Sequence, residues 1–91
     1  MSDIDHAKKI FREGNYTCVL CKDDAVYTSE LCGVAPMVGY LNSGIDLKGF
    51  STADKVVGKA VALLLILAGV KEVYAEVISK PALKILSQSG Y

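Results

Sequence analysis

Five residues that could serve a ligand lie close together: Ser51, Thr52, Asp54, Lys55 and Lys59. If a helix begins near Thr52, all five gather within its first two turns. The free backbone N–H groups of a helix start favour anions, hydroxyls add donors, and lysines add positive charge. The expected ligand is therefore a phosphate or carboxylate group, with Asp54 orienting a lysine or a ligand hydroxyl. Lys59 stands out. A lysine one turn inside an apolar helix is costly unless paired, and Asp54 or Glu76 is the expected partner. The plainer alternative is an ordinary helix cap with two lysines reaching out to solvent. Gly58-Lys59 is not a phosphate loop, because that motif needs Gly at 53 and Ser or Thr at 60, where the chain has Ala53 and Ala60.

Cys18, Cys21 and Cys32 offer thiol chemistry. Cys18 and Cys21 fit a C-x-x-C pattern, which zinc and redox motifs place on a tight turn or helix start. Here the pattern falls inside a β-run, where residues three apart point to opposite faces. No second pair and no nearby histidine completes a metal set. Ordinary buried cysteines are the expectation, and no metal ligand or cofactor is assigned. Cys32 precedes Gly33 in a loop and is a nucleophile only if a base activates it. The sole histidine, His6, lies at the other end of the chain, so a structural thiol is the competing reading. Asp54, Lys59 and Cys32 are the candidate catalytic residues of a metal-independent enzyme. Glu72 and Glu76 flank Tyr74 and suggest, with Asp54, a carboxylate pair for acid–base work, against which stands an exposed strand face.

The elements that must position these groups follow from spacing and punctuation. Ser2 or Asp3 caps a first helix to about Glu13, with Ile4, Ala7, Ile10 and Phe11 as its apolar stripe. Tyr16 to Leu20 and Ala25 to Ser29 form a hairpin around Lys22-Asp23-Asp24. Pro36 starts a short helix from Ala35 to Leu41, and Ile45 to Phe50 connects onward. A central helix runs from Ser51 or Thr52, with Asp54 completing a shortened capping box, to Gly69. From Val56 it is apolar on all faces, the mark of burial on more than one side. Glu72 to Ser79 is a strand, and Lys80-Pro81 opens a last helix to about Ser87. The expected order is α-β-β-α-α-β-α, a mixed sheet with helices on both faces. A right-handed crossover would join its second and third strands if they are parallel.

Ninety-one residues make a single domain, 1–91. The chain is 52% hydrophobic and its mean hydropathy is +0.34, more apolar surface than a small monomer readily hides, so a second copy of the chain is expected as partner. Ten acidic and ten basic residues balance, which argues against nucleic-acid binding. The charge-free apolar run Ala60 to Val70 falls short of the roughly 20 apolar residues that a membrane span requires. The acidic, polar start Met1-Ser2-Asp3 is no secretory signal, and with three cysteines a cytoplasmic setting with reduced thiols is expected.

Two segments carry a resemblance. Ala53-Asp54-Lys55-Val56-Val57-Gly58-Lys59-Ala60 and Gly69-Val70-Lys71-Glu72-Val73-Tyr74-Ala75-Glu76-Val77-Ile78-Ser79 resemble the domain of unknown function family 1893, a small prokaryotic family. The resemblance implies an α/β fold: a three-layer, cytidine-deaminase-like mixed sheet with helices on both faces, shortened at its C-terminus. Zinc deaminases open the central helix with an H-A-E type motif and the next helix with P-C-x-x-C. On this alignment Thr52-Ala53-Asp54-Lys55 and Pro81-Ala82-Leu83-Lys84 hold those places, with no zinc ligand at either. The resemblance also implies a further strand and a Cys-Pro-containing tail, which the chain, stopping at Gly90-Tyr91, lacks. The leading expectation is a zinc-free, deaminase-like domain that binds a small anionic ligand, such as a nucleotide, through Ser51, Thr52, Asp54, Lys55 and Lys59. The competing classes are a metal-independent enzyme and an oligomerisation module without a ligand.

Overall fold

A computed structural model describes residues 2–91. The elements in chain order are α1 (Asp3–Glu13), β1 (Cys18–Lys22), β2 (Ala25–Ser29), α2 (Ala35–Asn42), β3 (Ser51–Val57), α3 (Lys59–Ala68), β4 (Glu72–Ile78) and α4 (Lys80–Gln88). The strands form one sheet in the order β2-β1-β3-β4. β1 is antiparallel to both β2 and β3, whereas β3 and β4 are parallel and joined through α3.

Local chemistry accounts for most element ends. The Ser2 hydroxyl accepts the Asp5 N–H, and Asp3 and Asp5 complement the positive end of α1. Ser79 caps α4 by accepting the Ala82 N–H at 3.2 Å. Pro36 and Pro81 sit in first turns, where a missing N–H costs nothing. Gly69 closes α3 in the left-handed conformation, at φ 77°.

Helices cover the sheet on both sides. Ala7 and Phe11 of α1 pack on Val19, Cys21 and Ala53. Met37 of α2, Leu65 of α3 and Leu86 of α4 pack on the other face, with Cys18 and Leu20. The alternation of β1 divides its side chains between these two cores, so all of Cys18 to Cys21 is buried.

One segment departs from the sequence expectation. Ser51–Val57 is not the start of the central helix but a central strand between β1 and β4; the helix begins only at Lys59. The order is therefore α-β-β-α-β-α-β-α. The parallel crossover joins β3 to β4 rather than the hairpin's second strand to the last, which lie at opposite edges. The physical reason is burial. Ser51 to Asp54 are buried on both sides, which erases the alternation that marks a half-exposed strand and leaves a cap-like Ser-Thr-Ala-Asp string. Small Ser51 and Ala53 suit the face under α1, and Thr52 satisfies its hydroxyl by donating to the Val19 carbonyl at 3.2 Å. α3 itself is covered on one side only: Val61, Ala62 and Leu65 are buried, while Leu63 and Leu67 are 49% and 77% exposed.

Candidate functional site

No helix mouth forms at Ser51 or Thr52, because residues 51–57 are strand and α3 begins at Lys59. Ser51 and Thr52 are wholly buried in β3, and Thr52 is committed to Val19, 3.9 Å from the Cys18 sulfur. The Ser51 hydroxyl has no hydrogen-bond partner among the described residues. Lys59 is the first residue of α3 and exposed, so its supposed cost inside the helix vanishes. Lys55 is on a strand and Lys59 on a helix; they share no helical face.

The structure instead gathers Asp54, Lys55 and Cys32. They line a cavity of about 70 Å³ at the C-terminal end of β3, together with Thr17, Leu31 and Gly33. Strand register builds it. Cys18 pairs with Asp54, which sets the start of β1 beside the end of β3, and the Lys55 N–H donates to the Thr17 carbonyl at 2.9 Å. The Thr17 hydroxyl lies within hydrogen-bond reach of the Ser29 and Leu31 carbonyls and ties down the strand leaving the hairpin. Gly33, at φ 63°, makes the left-handed turn that leads from Cys32 into α2. Carboxyl ends of parallel strands, next to a change of strand direction, are where open α/β sheets hold ligands.

Asp54 dominates the electrostatics. Its residue is 7% exposed, and burial raises its carboxyl from 3.8 to about 6, with only the backbone N–H groups of Lys55 and Val56 acting against the rise. Such a group exchanges protons near neutrality, the range useful to an acid or a base. Across the pair, burial and then the Asp54 charge push the Cys18 thiol up to about 12, opposed by its hydrogen bond to Thr52. Cys18 is therefore a neutral, inert thiol. Cys21 lies on the opposite face of the sheet, raised by burial and then by Asp3, so the C-x-x-C pair is split as its β setting requires. Cys32 is the exposed one of the three cysteines.

The remaining candidates stand apart. His6 borders a depression with Asp3, Asp23 and Asp24, not the cavity that holds Cys32. Glu72 and Glu76 are exposed on β4. Thr52-Ala53-Asp54-Lys55 is strand, so no helix opens there to carry a deaminase motif. Among the described residues, no three His, Cys, Asp or Glu side chains come together to hold a metal ion. Sequence reasoning missed Thr17, Leu31 and Gly33; the usable signal was the hairpin itself, whose return places residues 31–33 beside residue 17.

No helix is long and apolar enough to cross a membrane among the described residues. The sequence profile of the domain of unknown function family DUF1893 matches residues 6–91. Among solved structures, a DUF1893 family protein from Thermotoga maritima is similar at 33% identity and a TM-score of 0.85, over 99% of this chain and 62% of that one. The chain thus spans 62% of the length of that relative. No curated protein matches it.

Proposed function

The chain belongs to the domain of unknown function family 1893, and from that premise we propose that it is a small-molecule-binding domain whose site is the Asp54 cavity. The observation that carries this reading is a nearly buried carboxyl lining a cavity at the carboxyl end of β3, raised by burial and balanced by no cation among the described residues. Keeping such a group costs about 3 kcal/mol at neutral pH, and an expense of that kind is characteristic of function rather than stability. A carboxylate here accepts N–H or O–H donors, as the amino edge of a nucleobase would supply. An anionic group cannot lie against it, so any phosphate of a nucleotide must point away, past Lys55. The earlier expectation of an anion at a helix start is thereby replaced by a donor-bearing end at Asp54.

A cytidine-deaminase-like architecture without zinc is part of the proposal. It is supported by the leading hairpin, the parallel β3-α3-β4 unit and helices on both faces. The test is a thermal-shift and calorimetric screen of nucleosides, nucleotides and sugar phosphates, with Asp54→Asn alongside. Binding by one class, weakened tenfold or more in a folded Asp54→Asn protein, is the expected result. Equal affinity in both proteins removes the cavity from consideration.

A second reading, a metal-independent enzyme, gains from one fact: Cys32 and Asp54, but not Lys59, border the same cavity. Asp54 would then be the base that takes the Cys32 proton as sulfur attacks an electrophile. Faster alkylation of Cys32 in the wild type than in Asp54→Asn is expected; equal rates would retire this reading. Self-association is also proposed, supported by exposed Leu63 and Leu67 on α3 and by exposed Val56 and Val77, which pair in register at the sheet's β4 end. Sedimentation at micromolar concentration giving only monomer would end it.

A further inference from the structure

The opposite face of the same strand end carries a second concavity that the Asp54 reading does not use. Along β3, Ser51, Ala53 and Lys55 alternate with Thr52 and Asp54, so the Lys55 side chain emerges on the α1 side of the sheet. There an open groove of about 410 Å³ is bordered by Lys55, Arg12, Tyr16, Tyr74 and Glu76.

Its walls are held in place. Phe11 meets Tyr74 edge to face, with ring centroids 6.1 Å apart. The Arg12 guanidinium lies 5.8 Å and the Lys8 ammonium 5.0 Å from the centre of the Tyr74 ring. Gly14 matters for space rather than conformation, since a Cβ there would collide with the Tyr16 ring that lies over it. The two aromatic rings are thus fixed surfaces.

The charge is unbalanced. Arg12 and Lys55 border the groove with one carboxylate among its lining residues, Glu76, and Lys8 adds a further cation over Tyr74, in a chain whose formal net charge is zero. Lys8 and Arg12 stand four apart on α1, a like-charge spacing that does not help the helix. With both over the Tyr74 ring and Lys55 across the groove, the α1 side of the groove is positive. Arg12 is suited to an anion there, because a guanidinium donates in a fixed fork to phosphate oxygens. Glu76 opposes a carboxylate or phosphate at the β4 side and so confines the anion to the α1 side of the groove.

We propose that this groove is a phosphate-binding site formed by Arg12 and Lys55, with Tyr16 and Tyr74 as flat walls. Lys55 borders both this groove and the Asp54 cavity. Given the Asp54 reading, on which this extension rests, the two are ends of one site. A donor-bearing ring enters the cavity, and its phosphate reaches over the strand end to the groove. The ligand class is then a phosphorylated nucleoside or a similar polar phosphate ester.

The experiment is a titration with inorganic pyrophosphate at low salt, followed by amide chemical shifts of the whole chain. Shifts grouped at Arg12 to Tyr16, Lys55 and Tyr74 to Glu76 are expected. Arg12→Gln and Lys55→Gln, both at exposed positions, should each weaken binding tenfold or more. Lys59→Gln, which removes a cation bordering neither the groove nor the cavity, should leave pyrophosphate affinity unchanged. Shifts scattered over all lysines, or wild-type affinity in both Arg12→Gln and Lys55→Gln, would overturn the proposal. A nucleoside monophosphate separates the two readings. If it loses affinity in Arg12→Gln but not in Asp54→Asn, the groove stands and the cavity reading falls. If only Asp54→Asn weakens it, the groove proposal falls and the cavity stands.

Discussion

β3 and α3 are consecutive, and each inverts the usual relation between polarity and burial. β3 hides Ser51, Thr52 and Asp54 in the centre of the sheet, while α3, almost wholly aliphatic, leaves Leu63 and Leu67 in solvent. Buried polar groups and exposed large apolar ones are the informative exceptions in a folded chain. Here they separate two questions. The strand says where chemistry is kept, because a buried carboxyl whose proton affinity is raised by burial survives there at a cost. The helix says where a surface is unfinished, because aliphatic residues gain nothing from water.

Truncations on α3 should produce the largest contrast. Leu65→Ala opens a hole in the main core and should destabilise by about 2–5 kcal/mol, whereas Leu67→Ala should stay within about 0.5 kcal/mol. Urea denaturation of the two variants measures both. Similar losses would mean that the exposed face of α3 is buried in solution, by a second copy.

Asp54→Asn comes next, with opposite sign. The folded protein raises this carboxyl from 3.8 to about 6, so the native state holds its proton where the unfolded chain has lost it. Stability from this group is complete below about pH 4 and falls as pH rises through about 6, by about 3 kcal/mol. The Asn variant should lack that fall and exceed the wild type at pH 7. Denaturation curves at pH 4, 5, 6 and 7 test it, and parallel pH profiles would show that Asp54 is not held as described.

Thr52→Val keeps the shape of β3 and removes the hydroxyl that donates to Val19. A loss of about 1 kcal/mol is expected, a fraction of the Leu65 effect. The smallest effect on stability belongs to the thiols. With Cys18 and Cys21 buried and Cys32 exposed, a thiol reagent should modify only Cys32 in the native protein and all three on unfolding, without lowering the melting temperature. Prompt reaction of Cys18 would mean that the Asp54 end of β3 opens readily.

Much of the fold was legible because its signals are local. Ser2, Pro36, Pro81 and Gly69 each act within one turn of their own position, and they mark α1, α2, α4 and the end of α3. The hairpin was placed by its Asp23-Asp24 turn, with β2 at the expected residues and β1 two residues later than expected. The opposite facing of Cys18 and Cys21 also followed from alternation alone. β3 was not legible, since a strand covered on both faces shows neither alternation nor helical period.

The candidate site divides along the same line. Asp54, Lys55 and Cys32 could be singled out by residue type, but their meeting could not, because it depends on Cys18 pairing with Asp54 far along the chain. The amino-acid sequence by itself determined the caps, the turns and the apolar faces, which arise from interactions among near neighbours. The tertiary structure alone decided that Ser51–Val57 is a central strand, that Asp54 is buried and that Lys59 is exposed. Strand pairing and burial are set by distant segments, and they determine both the backbone conformation of β3 and the proton affinity of its carboxyl.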